Sequence, residues 1–259
     1  MKQKEGEFMK NVFKLLLIGL FLAFVFGVAV QRSAKSYYDA QAKDLEERAK
    51  IAEQKIQEIQ AKELADEKLG QYTINQMYQA GAQNKLSKAK MQVLARAIVR
   101  VANDIYTNED NKKAFIMVIA IESAFNRFAQ SPTGPKGYGQ LAKASFKEAM
   151  NDCGMTDVNE EDVWEQDLNL YAAACYYKKL LNQRNGDTYA SAIAYNQGPN
   201  SLSDKTYRKN GRLEEKEPMQ YLSKFSFLHR NVKDVKQPNV PSFSELPVAK
   251  IQKVTLTEE

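Results

Sequence analysis

The stretch that most constrains this chain is the run AFIMVIA at 114–120. Read as part of a helix over 112–124, it is apolar on nearly every side. Such a helix cannot lie on a surface and has to be enclosed by others. The flanking sequence supplies the covering faces. Met91, Leu94, Ala95, Ile98, Val101, Ala102 and Ile105 recur at helical spacing along 88–106. Asn108, Glu109 and Asp110 provide a turn and a cap before the central helix. Further helices are predicted at 139–151, 165–183, 187–196 and 218–230. No strand alternation is present, and a short hairpin near 205–213 is the only β element the pattern admits. The fold class read from this pattern is all-α.

The N-terminal third is organised differently. Residues 15–30, LLLIGLFLAFVFGVAV, carry no charge. Val12 and Phe13 extend the run if Lys14 reaches toward lipid headgroups. As a helix, 12–30 measures about 28 Å, close to the hydrocarbon core of a bilayer. The expectation is a transmembrane anchor at 12–30. Lys2, Lys4, Lys10 and Lys14 place residues 1–11 on the cytoplasmic side and the rest outside, as a single-pass membrane protein. The alternative is a cleaved signal peptide ending near GVA at 27–29; the length of the run favours the anchor. A charged stalk follows at 31–85. Tyr38, Ala42, Leu45, Ala49, Ala52, Ile56 and Ile59 form a weak heptad seam that Glu63 and Asp66 interrupt. It fits a solvated spacer or a short self-associating coiled coil. Gly70 reads as a stop, with a second helical piece near 72–80. The domain itself occupies 86–232. A tail at 233–259, with Pro238, Pro241 and Pro247, reads as extended or disordered.

Charge and cysteine content narrow the function. A formal net charge of +5 favours anionic surfaces but does not make a nucleic-acid interface, and no basic-aromatic groove pattern accompanies it. Cys153, Cys175 and His229 are too scattered for a zinc site, so no metal is expected. The two cysteines read as buried thiols in preference to a pair that an oxidising compartment would allow.

One acid stands out. Glu122 closes the apolar helix, where burial and the negative end of the helix dipole both raise a carboxyl pKa. That suits a general acid near neutral pH; the competing role is a helix-end carboxylate paired with Arg127. The loop SPTGPKGYGQ at 131–140 follows, rich in Gly and Pro, able to bring backbone amides close to a ligand. Gln140 offers both a donor and an acceptor. A third piece, AIAYNQGPNS at 192–201, presents Tyr195 and Asn196 just before Gly198-Pro199.

In this order and spacing, over roughly 86–230, the chain resembles the soluble lytic transglycosylase family, whose catalytic domain is goose-type-lysozyme-like. Glu122-Ser123 matches the family's Glu-Ser pair. Ser131 to Gln140, with Gly134 and Gly137, matches its S..GA.GLMQ stretch. Ala194-Tyr195-Asn196-Gln197-Gly198 matches AYNAG. Asn169 with YAAACYYKKLL lines up with N…G..YL, and Glu217 to Leu222, which includes Tyr221, with ET..YV. Pro135 departs from the usual Ala, Tyr138-Gly139 from Leu-Met, and Pro218 from Thr.

The resemblance implies a lysozyme-like helical domain behind the anchor and stalk, and an enzyme without cofactor. In such an enzyme Glu122 protonates the glycosidic oxygen between N-acetylmuramic acid and N-acetylglucosamine. It then takes the proton of the sugar's own C6 hydroxyl, closing a 1,6-anhydro ring. By the same resemblance Ser123 steadies the leaving sugar or the acid, and Tyr195 hydrogen-bonds Glu122. Gly137, Gln140 and Asn196 contact sugar substituents, and Tyr221 lies near the site. The implied partner is peptidoglycan, and nucleic acid is not expected. One anchor, one spacer and one cutting domain fit a local hole-maker: a phage virion protein opening the wall for genome entry, a secretion or conjugation factor, or a housekeeping remodeller in the periplasm, the plain architecture favouring the phage case. The alternatives are a muramidase that adds water and a wall-binding assembly factor without activity.

Overall fold

The computed structural model describes residues 2–132, 134–201, 205–207, 209, 216–230 and 243, with side chains among them except at 2–15, 18, 34, 229 and 230. Seven helices account for most of these residues. They are α1 (Lys2–Gln79), α2 (Lys88–Ile105), α3 (Glu109–Ser123), α4 (Lys143–Asp152), α5 (Gln166–Gln183), α6 (Thr188–Gln197) and α7 (Lys216–Arg230). Short 3-10 turns occupy Ala82–Asn84 and Glu160–Trp164. Among the described residues the only β pairing is two isolated bridges, Gln130 with Lys136 and Lys136 with Leu141. The all-α expectation holds. The hairpin considered at 205–213 falls largely outside the described residues, and 205–207 and 209 are helical.

Contacts divide the chain into two units, 1–63 and 64–259. In the first, α1 exposes its described side chains, Leu45, Ile56 and Ile59 of the seam included. It carries ion pairs one turn apart, Asp44 with Arg48 and Glu46 with Lys50. Among the described residues no helix is long and apolar enough to cross a membrane. That corrects the transmembrane anchor expected at 12–30 and removes the span on which the single-pass arrangement and the bilayer contact rested. The physical reason is length. The uncharged run of 15–30 is bounded by Lys14 and Arg32 and rises about 24 Å as a helix, short of the roughly 30 Å of hydrocarbon that a span must cover.

The second unit is built around α3. Ala114 to Ile119 are fully or almost fully enclosed, as an all-round apolar helix requires. Asn108 caps it, its side chain accepting from the amides of Asp110 and Asn111 at 2.8 and 3.2 Å. Helices α2, α6 and α7 pack on α3, while α5 contacts α2, α4 and α6. The core reaches upstream of residue 86, because Leu69, Ile74 and Met77 of α1 are buried in it. Asp66 accepts a hydrogen bond from Asn103 of α2 at 2.8 Å.

Two expectations change here. Gly70 does not stop α1, which runs on to Gln79. A Cβ at Gly70 would collide with the ring of Phe243, so the glycine is a notch in a continuous helix. Arg96 donates to the Phe243 carbonyl at 3.3 Å and lies over its ring. The two cysteines are not free thiols either. Cys153, at the end of α4, is bonded to Cys175 in α5, their Cα atoms 6.1 Å apart. Cys175 faces the core as the helical spacing requires, and the α4–α5 packing brings Cys153 to it.

Candidate active site

Helix α3 ends immediately after Glu122. Ala124 and Phe125 both adopt left-handed backbone, with φ of 48° and 59°, a strained conformation for residues with a side chain. The buried ring of Phe125 offsets that cost, being 1% exposed. The reversal leaves the Glu122 carboxyl in the last helical turn, half-buried and open on one side. Burial pushes its pKa from 4.5 up to about 7, while a hydrogen bond from Tyr221 works in the opposite direction. The Tyr221 hydroxyl donates to Glu122 Oε1 at 2.9 Å. Arg127 is not the partner of Glu122. It donates to the Trp164 carbonyl at 2.9 Å and lies 3.7 Å from Glu165.

The expected bond from Tyr195 to Glu122 is therefore made by Tyr221, from α7. The Tyr195 hydroxyl donates instead to the Gly139 carbonyl at 2.7 Å. Tyr195 is still near the acid, because the charge of Glu122, after burial, helps hold its phenol well above the usual tyrosine range. The ring is set edge-on against Tyr176 and Tyr177.

The glycine loop is a built object. Gly137 donates to Ala129 at 2.9 Å. Gln140, itself at φ 47°, donates its amide to the carbonyls of Ala129 and Gly137 at 2.8 and 3.0 Å. Its NH2 thus holds the loop closed. The organiser from outside is Asn169 of α5, 1% exposed. It accepts from the Gly139 amide at 3.0 Å and donates to Val163 and Lys136 carbonyls at 2.8 and 3.3 Å. A Cβ at Gly137, where φ is 75°, would collide with Asn169. A Cβ at Gly139 would lie 2.5 Å from Ala173 Cβ and 2.9 Å from the Tyr195 hydroxyl. Tyr138 turns inward and donates to Gln166 at 3.3 Å.

The remaining predicted residues are placed as follows. Ser123 is buried and its hydroxyl donates to the Ile119 carbonyl at 3.1 Å, one turn back in α3. Asn196 accepts from the Gln197 amide at 2.6 Å at the end of α6. Glu122 and Tyr221 are in direct contact, and Gly137 and Gln140 are joined within the loop. Tyr195 ties that loop to α6. The role of Asn169 was not read from the sequence beyond its motif position. Its signal is an amide on the buried face of α5, which has to find backbone partners.

The comparisons with known proteins fall on this same region. Residues 101–218 match the Transglycosylase SLT domain. The match includes Glu122, the glycine loop and Tyr195 and ends just short of Tyr221. Over 83 residues the chain is 37% identical to the peptidoglycan transglycosylase gp16 of Escherichia phage T7. That alignment takes in 32% of this chain and only 6% of the phage protein. An inactive mutant of the lytic transglycosylase Slt from Pseudomonas aeruginosa superposes with a TM-score of 0.46 at 22% identity, covering 51% of this chain and 22% of that one.

Proposed function

We propose that the chain is a peptidoglycan lytic transglycosylase that cleaves the β-1,4 bond between N-acetylmuramic acid and N-acetylglucosamine and leaves a 1,6-anhydro end. The observation that carries this reading is the half-buried Glu122 carboxyl, its pKa raised to about 7 and its oxygen held by Tyr221. A carboxyl with that pKa is substantially protonated near neutrality and able to act as a general acid. In the first step Glu122 gives its proton to the glycosidic oxygen as the C1–O bond breaks. In the second, the resulting carboxylate takes the proton of the C6 hydroxyl while that oxygen bonds to C1. The proton lost in the first step is regained in the second, and no water is consumed. The Tyr221 hydroxyl steadies the carboxylate between the two.

Gly137, Gln140 and Asn196 border the sugar, with the side-chain carbonyl of Gln140 serving as an acceptor because its NH2 is engaged in the loop. Ser123 acts through the α3 terminus that positions Glu122. The similarity to a phage transglycosylase supports a place in a phage virion, acting on the wall as the genome is delivered. Mass spectrometry of purified virions tests that placement.

Glu122→Gln removes the acid and keeps the Tyr221 partner. It is expected to lower release of anhydromuropeptides from purified sacculi by at least about a thousandfold. Full activity in that variant would sink the assignment. Products one water heavier than the anhydro form would instead identify a muramidase.

A further inference from the structure

Phe125 and Phe128 lie three residues apart on the same turn and have opposite fates. Phe125 is in the core, whereas Phe128 is 71% exposed, the most exposed large apolar side chain described in the second unit. The backbone that carries it is held. Its amide donates to Asn126 Oδ1 at 3.1 Å, and Ala129 donates to the Asn126 carbonyl at 3.2 Å. Arg127 lies 5.5 Å from the ring centroid and is itself held by the Trp164 carbonyl. Lys136, on the glycine loop, lies 5.1 Å from the Trp164 ring centroid. Phe128, Arg127, Trp164 and Lys136 therefore form a strip of alternating aromatic and cationic groups. The strip starts one residue before Ala129, the residue that anchors Gln140 and Gly137.

An exposed ring flanked by cations beside the glycine loop offers a surface to a ligand. An aromatic face receives the apolar C–H face of a pyranose, and neighbouring cations receive carboxylates. We propose that this strip is a substrate-binding platform for a glycan strand bearing carboxylate side groups, with Phe128 stacking on a sugar ring and Lys136 contacting a carboxylate. The assignment rests on the peptidoglycan reading above and adds to it the residues that select a carboxylated strand. Phe128 and Lys136 are specificity residues, since neither reaches the reacting bond through Glu122.

The test reads binding apart from turnover. Full-length Glu122→Gln protein is pelleted with intact sacculi. Adding Phe128→Ala should raise the half-saturating amount of sacculi about tenfold, and Phe128→Trp should restore it. Lys136→Met should raise it about threefold, an effect that disappears once the sacculus carboxylates are amidated. Circular dichroism confirms that each variant is folded. Equal pelleting with and without Phe128→Ala overturns the platform, and a Lys136→Met effect that survives amidation overturns the carboxylate contact. In the parent chain with Glu122 intact, Phe128→Ala should raise KM and leave kcat within about twofold. Should the parent release no muropeptide, the enzymatic reading fails while pelleting still decides the platform.

Discussion

The first 63 residues and the loop from Ala124 to Leu141 are stabilised in opposite ways. The former is helix over residues 2–63, with nearly all of its described side chains in solvent and ion pairs between neighbouring turns. The latter has almost no regular structure, yet its backbone is held by Asn169, Gln140 and Tyr195 from several directions. Local propensity can build a helix, but it cannot build a chosen loop geometry. A loop that must present backbone to a ligand is fixed by buried side chains on other elements.

Breaking the loop should therefore cost most in activity. Gly139→Ala drives a methyl group against Ala173 and the Tyr195 hydroxyl. It should destabilise the protein by about 1–3 kcal/mol in calorimetry and lower activity with it. Ala173→Gly in the same chain should recover part of both losses. The pairing also bears on the family pattern. Ala173 stands where the motif N…G..YL has its glycine, and Gly139 where GLMQ has methionine, so bulk on one side is matched by its absence on the other.

Next comes the disulfide, which joins α4 to α5, the helix that also carries Asn169. Replacing both Cys153 and Cys175 with Ser should cost about 2–4 kcal/mol, read as a lower denaturant midpoint. The titration of Glu122 should stay in place, because neither cysteine touches it.

Tyr221→Phe is smaller and more specific. The lost bond favoured the charged carboxylate, so the Glu122 pKa should rise further above about 7. The alkaline limb of the rate profile should move to higher pH, with kcat down about tenfold. The same raised pKa gives a stability signature. Folded Glu122 keeps its proton up to about 7 while the unfolded chain loses it near 4.5, so stability falls as pH rises through that window and is flat above it. Glu122→Gln should abolish the fall and be more stable at pH 8 by on the order of 2 kcal/mol.

The smallest effect belongs to the other region. Lys50→Ala removes the exposed pair with Glu46 and should change stability by less than about 0.5 kcal/mol, leaving helicity by circular dichroism unchanged.

Much of this architecture was legible because it is periodic or local. The helix over 112–124, its Asn108 cap and the boundaries of α5 and α6 follow from spacing. Glu122 and its loop follow from their order along the chain. What was not legible depends on partners distant in sequence. Tyr195 and Tyr221 both lie on helices near the acid, and only the packing of α7 on α3 decides which hydroxyl reaches it. The cysteines are 22 residues apart, a spacing that allows either a pair or two thiols. The apolar run near the N-terminus was read as a span because Lys14 was counted within it; without it the uncharged stretch is too short.

Gly70 was read as an end because a glycine in mid-helix usually weakens it. Its reason lies at Phe243, far along the chain. A shortened form cut after the last helix would keep every residue of the proposed catalytic site and lose this ring. It would then carry a bare glycine inside α1, at the turn where that helix joins the core. Trimming the back of the protein is felt at its front, and the first place to fray would be a helix that the cut never touched.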